Sequence, residues 1–323
     1  MIDMQLKENK VWIDGCFDFT HYGHAGAILQ ARRTIPKNAT DGELYCGVHN
    51  DADITFNKGP PVMNSEERYA HTMSNRWCSR VIRDAPYVTD PKVLDGYGCK
   101  YVVHGDDITL DANGEDCYQE MKDLGRFRVV KRTDGVSTTD IIHRMLTHKY
   151  EYEDSMPSQE LLTKYSSDCN GYDIKCFVFD KNLQNILVKG LMRSTTQGYI
   201  IINGDFDLFH MGHIEQLQHA YEILYPEREI YIGLRRLDPR GQRTIMSLKE
   251  RLLSILSCKY VDGVIIEPEY SNIDINNIIE IDSKDLLSNG NFSKYLTKQT
   301  IVDRIESQRD LYIARNMKKG MSY

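Results

Sequence analysis

The chain has 323 residues, 41% of them hydrophobic and 27% charged, which suits about two soluble globular domains. Its net charge of −7 argues against non-specific binding to nucleic acids, and no apolar run approaches the roughly 18 residues that a transmembrane segment needs. The first residues lack the apolar segment of a signal peptide, and the eight cysteines form no Cys-x-x-Cys pair. These features predict a cytoplasmic protein with reduced thiols.

The predicted elements of the first half alternate between strand and helix patterns. In chain order, the strands are KVWIDGC, ELYCGVHN, RVIRDAPYV, KYVVHG and RFRVVKR, and the helices are GHAGAILQARRT, NSEERYAHTMSNRW, DCYQEMKDLG and STTDIIHRMLTH. Asn64 or Ser65 is the expected N-cap of the second helix. The second half begins with an apparent hairpin, IKCFVFDKNLQNILVKG, before the strand YIIING.

These two halves are an internal repeat. DGCFDFTHYGH at 14–24 matches NGDFDLFHMGH at 203–213 with an offset of 189 residues, and 62–82 matches 245–265 with an offset of 183. Two matches in the same order indicate duplicated domains. The fold prediction is therefore α/β, with two tandem Rossmann-like parallel sheets that bind ligands beyond the carboxyl ends of their strands. The predicted bounds are 1–150 for a first, catalytic domain, 151–171 for a linker and 172–323 for a second, partly degenerate domain.

Each repeat carries two histidines three residues apart at the start of a helix: His21 and His24 in the first, His210 and His213 in the second. Side chains at i and i+3 share one face of a helix. The first turn also has unpaired N–H groups and the positive end of the helix dipole. Both features favour a phosphate site. A metal site would need a third ligand, and none stands out.

Further polar residues follow other strands of the first repeat. Lys58 lies beside Gly-Pro-Pro in a constrained loop and can offer a charge to a polyphosphate. Arg132 ends a strand, and three hydroxyl residues at the next helix start suit phosphate: Ser137, Thr138 and Thr139.

Two glycines and two carboxylates complete the candidates. Gly15 allows a close approach of the strand–helix turn to a nucleotide, and Gly23 leaves the face between the histidines open. Asp106 and Asp107 end a strand, where acidic residues near a phosphate site call for a cation, a base amino group or a metal.

The motifs HYGH, KGPPVMNSEERY, VHGDD and RTDGVSTTDIIHR, in this order, resemble the cytidylyltransferases of phospholipid synthesis. The likeness spans nearly the whole chain, and two such halves in tandem look like the members that act on phosphoethanolamine. Members that act on phosphocholine have one such domain and a long amphipathic membrane helix, which is not seen here. The resemblance implies transfer of CMP from CTP to phosphoethanolamine, with release of pyrophosphate, in the CDP-ethanolamine route to phosphatidylethanolamine. It also implies Mg²⁺ bound with CTP.

Residue roles follow from the same resemblance. His21, His24, Lys58 and Arg132 would be catalytic. The CTP-binding residues would be Gly15, Cys16, Phe17, Gly23, Thr133, Ser137, Thr138 and Thr139. Asp106 or Asp107 would contact the acceptor ammonium or the cytosine amino group. A nucleotide site in the second domain would comprise Asp205, Phe206, His210, His213 and Thr297.

The second repeat departs from the motifs outside its histidines. Gly241 stands in the place of Lys58, with Arg240 and Arg243 nearby, and Lys298 replaces a hydroxyl residue. Ile265 to Leu296 is 31 positions, against 54 for the matching stretch of the first repeat, so the VHGDD strand has no clear counterpart. We therefore expect the first repeat to carry the chemistry.

Two other functions stay open. One is a cytidylyltransferase for another phosphomonoester, such as phosphocholine or glycerol 3-phosphate. The other is a non-catalytic nucleotide-sensing module. Assembly as a homodimer is left open as well.

Overall fold

The computed structural model describes residues 5–19, 21–193, 197–271, 273–280 and 296–323. The chain forms two compact units: unit 1 runs to residue 135 and includes Cys169–Tyr172, and unit 2 comprises Val136–Asp168 and Asp173–Tyr323. These units divide the chain elsewhere than the predicted domains 1–150 and 172–323, whose bounds follow the repeat and stay a prediction. Much of the predicted linker packs within unit 2, where the Tyr152 hydroxyl donates to the Thr244 carbonyl (2.7 Å).

Unit 1 is a parallel sheet flanked by helices. Its elements are β1 Lys7–Gly15, α1 Tyr22–Arg32, β2 Glu43–Val48, α2 Asp51–Lys58, α3 Ser65–Ser74, β3 Arg80–Arg83, α4 Pro91–Gly96, β4 Cys99–Gly105, α5 Gln119–Asp123 and β5 Phe127–Val130. The strand order is β3-β2-β1-β4-β5, with every pair parallel. The α/β prediction with a parallel sheet is confirmed.

Local chemistry explains which helices the sequence reveals. Asn64 is the N-cap of α3 and forms a capping box with Glu67, as the sequence pattern indicates. Helix α2 escapes prediction because Ile54 is its one buried residue among those described, so it has no apolar periodicity. Its start depends instead on the Asn50 side chain, which accepts a hydrogen bond from the Asp53 N–H (2.7 Å).

The core of unit 1 forms around β1, the central strand. Trp12 on β1 is fully buried, and a Cβ at Gly47 on β2 would overlap its ring. Glycine at 47 therefore lets the two strands pack over a large aromatic side chain. From the carboxyl end of β1 the chain runs to α1, and from that of β2 it runs to α2, at whose ends the candidate histidines and Lys58 lie.

Unit 2 contains a second, mostly parallel sheet. Its elements are α6 Thr138–Thr147, α7 Gln159–Tyr165, β6 Phe177–Asp180, β7 Ile186–Val188, β8 Tyr199–Gly204, α8 Met211–His219 with a π-helical turn at Ala220–Leu224, β9 Glu229–Leu234, α9 Leu248–Leu256, β10 Gly263–Ile266, a 3₁₀ turn at Ile275–Asn277, β11 Ile278–Glu280, α10 Lys298–Ser307 and α11 Arg309–Met317. The strand order is β11-β8-β9-β10-β6-β7. The predicted hairpin is confirmed, since β7 pairs antiparallel with β6.

Strand β11 corrects one expectation. It pairs parallel with β8 on the side away from β9, as β4 pairs with β1 in unit 1. The expectation that the VHGDD strand has no counterpart is therefore wrong, because three residues keep its place in the sheet. Residues 281–295, which hold much of the stretch compared with the RTDGVSTT motif, lie outside the described residues.

Helix α6 is held in unit 2 by a buried ion pair. It packs against α10 and α11. The Arg144 guanidinium donates to both oxygens of the Glu250 carboxylate on α9, at 2.7 and 2.9 Å, and also to the Ile245 carbonyl (3.1 Å). The two side chains are 12% and 4% exposed, so this bidentate pair lies largely out of water. Within the described part of the chain, no helix combines the length and apolar character of a bilayer span.

We predict that Arg144→Met lowers the free energy of unfolding by about 3 kcal/mol, because it leaves the Glu250 carboxylate buried without its cation. Urea unfolding followed by circular dichroism measures this loss. Arg80→Met is the control, since its side chain is 64% exposed in a loose ion pair and should cost less than about 1 kcal/mol. Equal midpoints for the two variants would show that the Arg144 pair does not stabilise the fold.

Candidate active site

The first histidine pair, His21 and His24, lies at the start of α1, after the turn that follows β1. His21 is the N-cap of α1, and its Nδ1 accepts a hydrogen bond from the Gly23 N–H (3.1 Å). The two imidazole rings are stacked, with centroids 4.1 Å apart and planes inclined by 21°. The predicted sharing of one helix face is therefore confirmed.

Both imidazoles of the first pair are kept neutral at physiological pH. Burial lowers the pKa of His21 well below its usual value, and repulsion from His24, Arg132 and His71 in their protonated forms adds to the effect. Burial lowers the pKa of His24 to about 4, assisted by Lys58 and Arg132. Because Nδ1 of His21 accepts a hydrogen bond, its proton is on Nε2, which makes Nε2–H a donor.

The turn before the first histidine pair has a strained backbone. Phe17 and Phe19 have positive φ angles of 51° and 61°, a region that non-glycine residues adopt at a cost of about 1 kcal/mol or more. Asp18 between them is buried, and its carboxylate accepts hydrogen bonds from the backbone N–H groups of Val62 (2.9 Å) and Met63 (3.0 Å). The aspartate thus fixes the turn against the loop before α3.

Arg68 of α3 completes this arrangement. Its buried guanidinium donates to the Cys16 carbonyl (2.7 Å), the Met63 carbonyl (3.1 Å) and the Asp51 carboxylate (2.8 Å). The sequence analysis missed Asp18 and Arg68 as site-building residues. The internal repeat could have revealed these two residues, because the offsets of 189 and 183 match Asp18 with Asp207 and Arg68 with Arg251.

Two cations act on the first histidine pair. Lys58 ends α2, with its ammonium 5.4 Å from the centre of the Tyr87 ring. Arg132 follows β5, and its backbone N–H donates to Asp106 Oδ1 (3.1 Å). Both cations lower the pKa of His24, so the structure brings these predicted catalytic residues of unit 1 together.

The carboxylates after β4 are neighbours of Arg132. Besides the Asp106 contact, Asp107 Oδ2 lies 4.0 Å from the Arg132 guanidinium. The sequence analysis required a cation, a base amino group or a metal beside these acids, and Arg132 is that cation.

The remaining CTP-binding candidates fall in both units. Gly15 is the last residue of β1, and Cys16 and Phe17 lie in the turn that follows it. The Phe17 ring meets His24 edge-on, with centroids 5.9 Å apart. Gly23 contributes its N–H to His21, and Thr133 follows Arg132, half-buried. The three hydroxyl residues belong to unit 2 as the start of α6: Ser137, Thr138 and Thr139.

Ser137 and Thr139, the first and last of these three residues, have hydrogen-bond partners within unit 2. Ser137 is the N-cap of α6 and accepts a hydrogen bond from the Asp140 N–H (3.1 Å). Thr139 receives hydrogen bonds from the C-terminal segment: the Asn316 amide donates to its carbonyl (3.3 Å) and the Lys319 ammonium to its hydroxyl (3.4 Å). The predicted hydroxyl-bearing helix start is confirmed as local structure.

The second histidine pair, His210 and His213, repeats the geometry of the first. His210 is the N-cap of α8, its Nδ1 accepts from the Gly212 N–H at 3.1 Å, and the two rings stack with centroids 4.0 Å apart. Phe206 and Leu208 have positive φ angles of 50° and 52°, as Phe17 and Phe19 do in unit 1. The strained turn is thus a property of both repeats.

The contacts that Asp18 and Arg68 make in unit 1 also have counterparts around the second pair. Asp207 accepts from the backbone N–H groups of Ile245 (2.8 Å) and Met246 (3.0 Å), and Arg251 donates to the Asp205 carbonyl (2.6 Å). Thr297, the last candidate in this repeat, is the N-cap of α10.

The cation beside the second pair is a different one. Lys298, the first residue of α10, lies with its ammonium 3.1 Å from Asp207 Oδ2. Burial lowers the pKa of His213 to about 4, with Lys298 assisting and Asp207 opposing. Lys298 therefore acts on His213 as Lys58 and Arg132 act on His24.

Known proteins resemble this chain in both repeats. The Cytidylyltransferase-like family model matches residues 12–144 and 201–306. The ethanolamine-phosphate cytidylyltransferase of Saccharomyces cerevisiae is 55% identical over 99% of both chains, and that of Mus musculus is 34% identical over 96% of this chain and 89% of its own. Choline-phosphate cytidylyltransferase A of Mus musculus is 38% identical over 42% of this chain and 36% of its own.

Both repeats thus match the family model, and the match to relatives extends over nearly the full chain. The histidine pairs lie within the matched segments. The chain belongs to the cytidylyltransferase-like family, in the branch of the ethanolamine-phosphate cytidylyltransferases.

Proposed function

We propose that this chain transfers CMP from CTP to phosphoethanolamine, giving CDP-ethanolamine and pyrophosphate, as the names of its full-length relatives imply. The observation that supports it best is the first histidine pair, two neutral, stacked imidazoles beside Lys58 and Arg132. Such a site offers donors and positive charge to a polyphosphate without an activated nucleophile. A relative named for choline phosphate matches less than half of the chain, which favours ethanolamine.

In the proposed reaction, an oxygen of the phosphomonoester attacks the α-phosphorus of CTP. The bond from that oxygen to phosphorus forms as the bond to the β-phosphate oxygen breaks, and pyrophosphate leaves with the electron pair. His21 and His24 donate hydrogen bonds to the phosphate oxygens, while Lys58 and Arg132 offset the charge on the transferring and leaving groups. The chain thus contributes position and electrostatic stabilisation.

The other candidate roles rest on the family motif. Gly15, Cys16, Phe17, Gly23 and Thr133 would line the nucleotide in unit 1. Ser137, Thr138 and Thr139 are assigned to the phosphates by the motif alone. Asp106 and Asp107 are the candidates for the acceptor ammonium or the cytosine amino group.

Magnesium would enter with the nucleotide. The described residues contain no group of three His, Cys, Asp or Glu side chains placed to hold a metal ion. As the family resemblance implies, we treat Mg²⁺ as part of the CTP substrate and propose no protein ligand for it. A cytoplasmic location is also proposed, supported by eight cysteines that are all free thiols. The homodimer stays a prediction.

Pyrophosphate release with each nucleoside triphosphate and each acceptor tests the reaction. We expect CTP with phosphoethanolamine to give the highest kcat/KM, about tenfold or more above phosphocholine. A primary ammonium donates hydrogen bonds to a carboxylate such as Asp106, whereas a trimethylammonium cannot and prefers an aromatic cage. Equal kcat/KM for the two acceptors would contradict the assignment, and CTP binding without turnover would favour the nucleotide-sensing module.

We predict that His21→Ala or His24→Ala lowers kcat about a hundredfold or more, the scale of losing a transition-state donor. Both residues lie at the first turn of α1, so the fold should persist in a thermal melt. Turnover at saturating CTP is the measurement. A folded variant within about threefold of the parent would rule out the catalytic role.

The second histidine pair gives the matched comparison. We expect His210→Ala with His213→Ala to cost far less kcat than the same double change at the first pair, because the second site lacks counterparts of Lys58 and Arg132 at the matching positions. A loss would appear mainly in stability or in the dependence on CTP. If the folded double variant is as inactive as the one at His21 and His24, the chemistry needs both pairs.

A further inference from the structure

We propose that Asn316 is a positioning residue for CTP: it ties the C-terminal segment, residues 316–323, to the first turn of α6, which the family motif assigns to the CTP phosphates. This inference rests on the proposed function, because it deepens the CTP-binding part of that function. The contacts that carry it all lie within unit 2.

The outer two of the three hydroxyl residues at the start of α6 are engaged within the protein. The Ser137 hydroxyl caps the helix, accepting from the Asp140 N–H (3.1 Å) and donating to the Asp140 carboxylate (2.6 Å). Thr139 is only 7% exposed and is bound by the C-terminal segment. What Ser137 and Thr139 give to CTP is therefore the position of the turn, whose first N–H groups suit an anion.

The C-terminal segment meets this turn through three side chains. The amide of Asn316, a fully buried residue, donates to the Thr139 carbonyl (3.3 Å) and to the Tyr323 hydroxyl (2.5 Å). The Tyr323 ring meets that of His143, one turn further along α6, at a centroid distance of 4.8 Å and an angle of 61°. The Lys319 ammonium donates to the Thr139 hydroxyl at 3.4 Å.

Stability alone does not account for an asparagine at this position. Within the part of the chain that the structure describes, Oδ1 of Asn316 is buried without a hydrogen-bond partner. A buried acceptor without a partner costs free energy, and a leucine of similar size would pack here without that cost. What the asparagine supplies and a leucine does not is the donor that fixes the Thr139 carbonyl.

A shift of the helix start would weaken CTP binding before it affected the chemical step. Hydrogen bonds from N–H groups form over a narrow range of distance and angle, so a small displacement of the turn weakens its contacts with a phosphate. Contacts that are equal in the bound substrate and in the transition state change KM and leave kcat intact. We therefore expect the role of Asn316 to be seen in the KM for CTP.

Steady-state kinetics of the full chain at saturating phosphoethanolamine, with CTP varied, test the proposal. Asn316→Leu should raise the KM for CTP about tenfold, the scale of one lost hydrogen bond, with kcat within about twofold of the parent. Its melting temperature should equal or exceed that of the parent. A residue that only held the fold together would give the opposite pattern.

The chain offers two matched controls. Arg309 donates to the Leu146 carbonyl (2.6 Å) at the other end of α6, so Arg309→Met should lower the melting temperature and leave the KM for CTP unchanged. Lys319→Met removes the contact with the Thr139 hydroxyl and should raise the KM for CTP about threefold. Lys318→Met, at the exposed neighbouring lysine, should leave it unchanged.

A parental KM for CTP in Asn316→Leu, or a KM that rises with the loss of melting temperature in both Asn316→Leu and Arg309→Met, would overturn the inference. If Asn316→Leu does not fold, Lys319→Met decides, and a parental KM in that variant would overturn it equally.

Equilibrium dialysis with labelled CTP, without acceptor, separates this inference from the proposed reaction. Asn316→Leu should weaken the CTP whose binding requires His21 and His24, as identified with the double alanine variant. If that CTP depends on Asn316 but the parent transfers nothing to phosphoethanolamine, the proposed reaction is rejected and this inference stands. If that CTP binds the parent and Asn316→Leu equally, the inference is rejected whatever the turnover.

Discussion

Both histidine pairs depend on one interaction, a buried carboxylate that accepts two backbone N–H groups from a loop far along the chain. Asp18 binds the amides of Val62 and Met63, and two residues beside it are held in left-handed conformations. Two hydrogen bonds to a charged acceptor contribute about 1.5–3 kcal/mol each, which exceeds the strain of about 1 kcal/mol or more at each of Phe17 and Phe19. The carboxylate therefore keeps the turn that places His21 as a helix cap.

The second repeat keeps this turn and its histidine pair but has other cations beside it. Asp207, Arg251 and the stacked rings of His210 and His213 persist with nearly the same distances. The cations around them differ, since Lys298 is present here and Lys58 is replaced by Gly241. The strained backbone, the buried carboxylate and the histidines remain where the cations have changed, so they belong to the fold of the turn. That the reaction depends on the surrounding cations stays a prediction.

Much of the fold could be predicted from the sequence because the repeat and the strand patterns are local signals. The five strands of unit 1, the β6–β7 hairpin and the cap at Asn64 all follow from neighbouring residues. Helix α2 could not be found this way, since its start depends on one asparagine and its faces are mostly exposed. Three residues were too few to reveal β11.

The sequence predicted the residue types of the site better than it predicted which of those residues are in contact. A pair of histidines three residues apart indicates one helix face, which the stacked rings confirm. The partner of the acids after β4 was not readable, because Arg132 lies some 25 positions beyond Asp107 and meets it through the pairing of β4 with β5. Likewise, the carboxylate of Asp14 meets the hydroxyls of Thr89 and Tyr118 only once the sheet has formed.

Helix α6 shows that the sequence repeats and the compact units of the structure have different boundaries. The family segment ends at residue 144, in the middle of a helix whose apolar side packs on α10 and α11 and whose Arg144 is bound by Glu250. A gene fragment trimmed to the first repeat would keep its histidines and expose Ile141, Ile142, Met145 and Leu146 to water. Helix α6, in which the first family segment ends, therefore folds as part of unit 2.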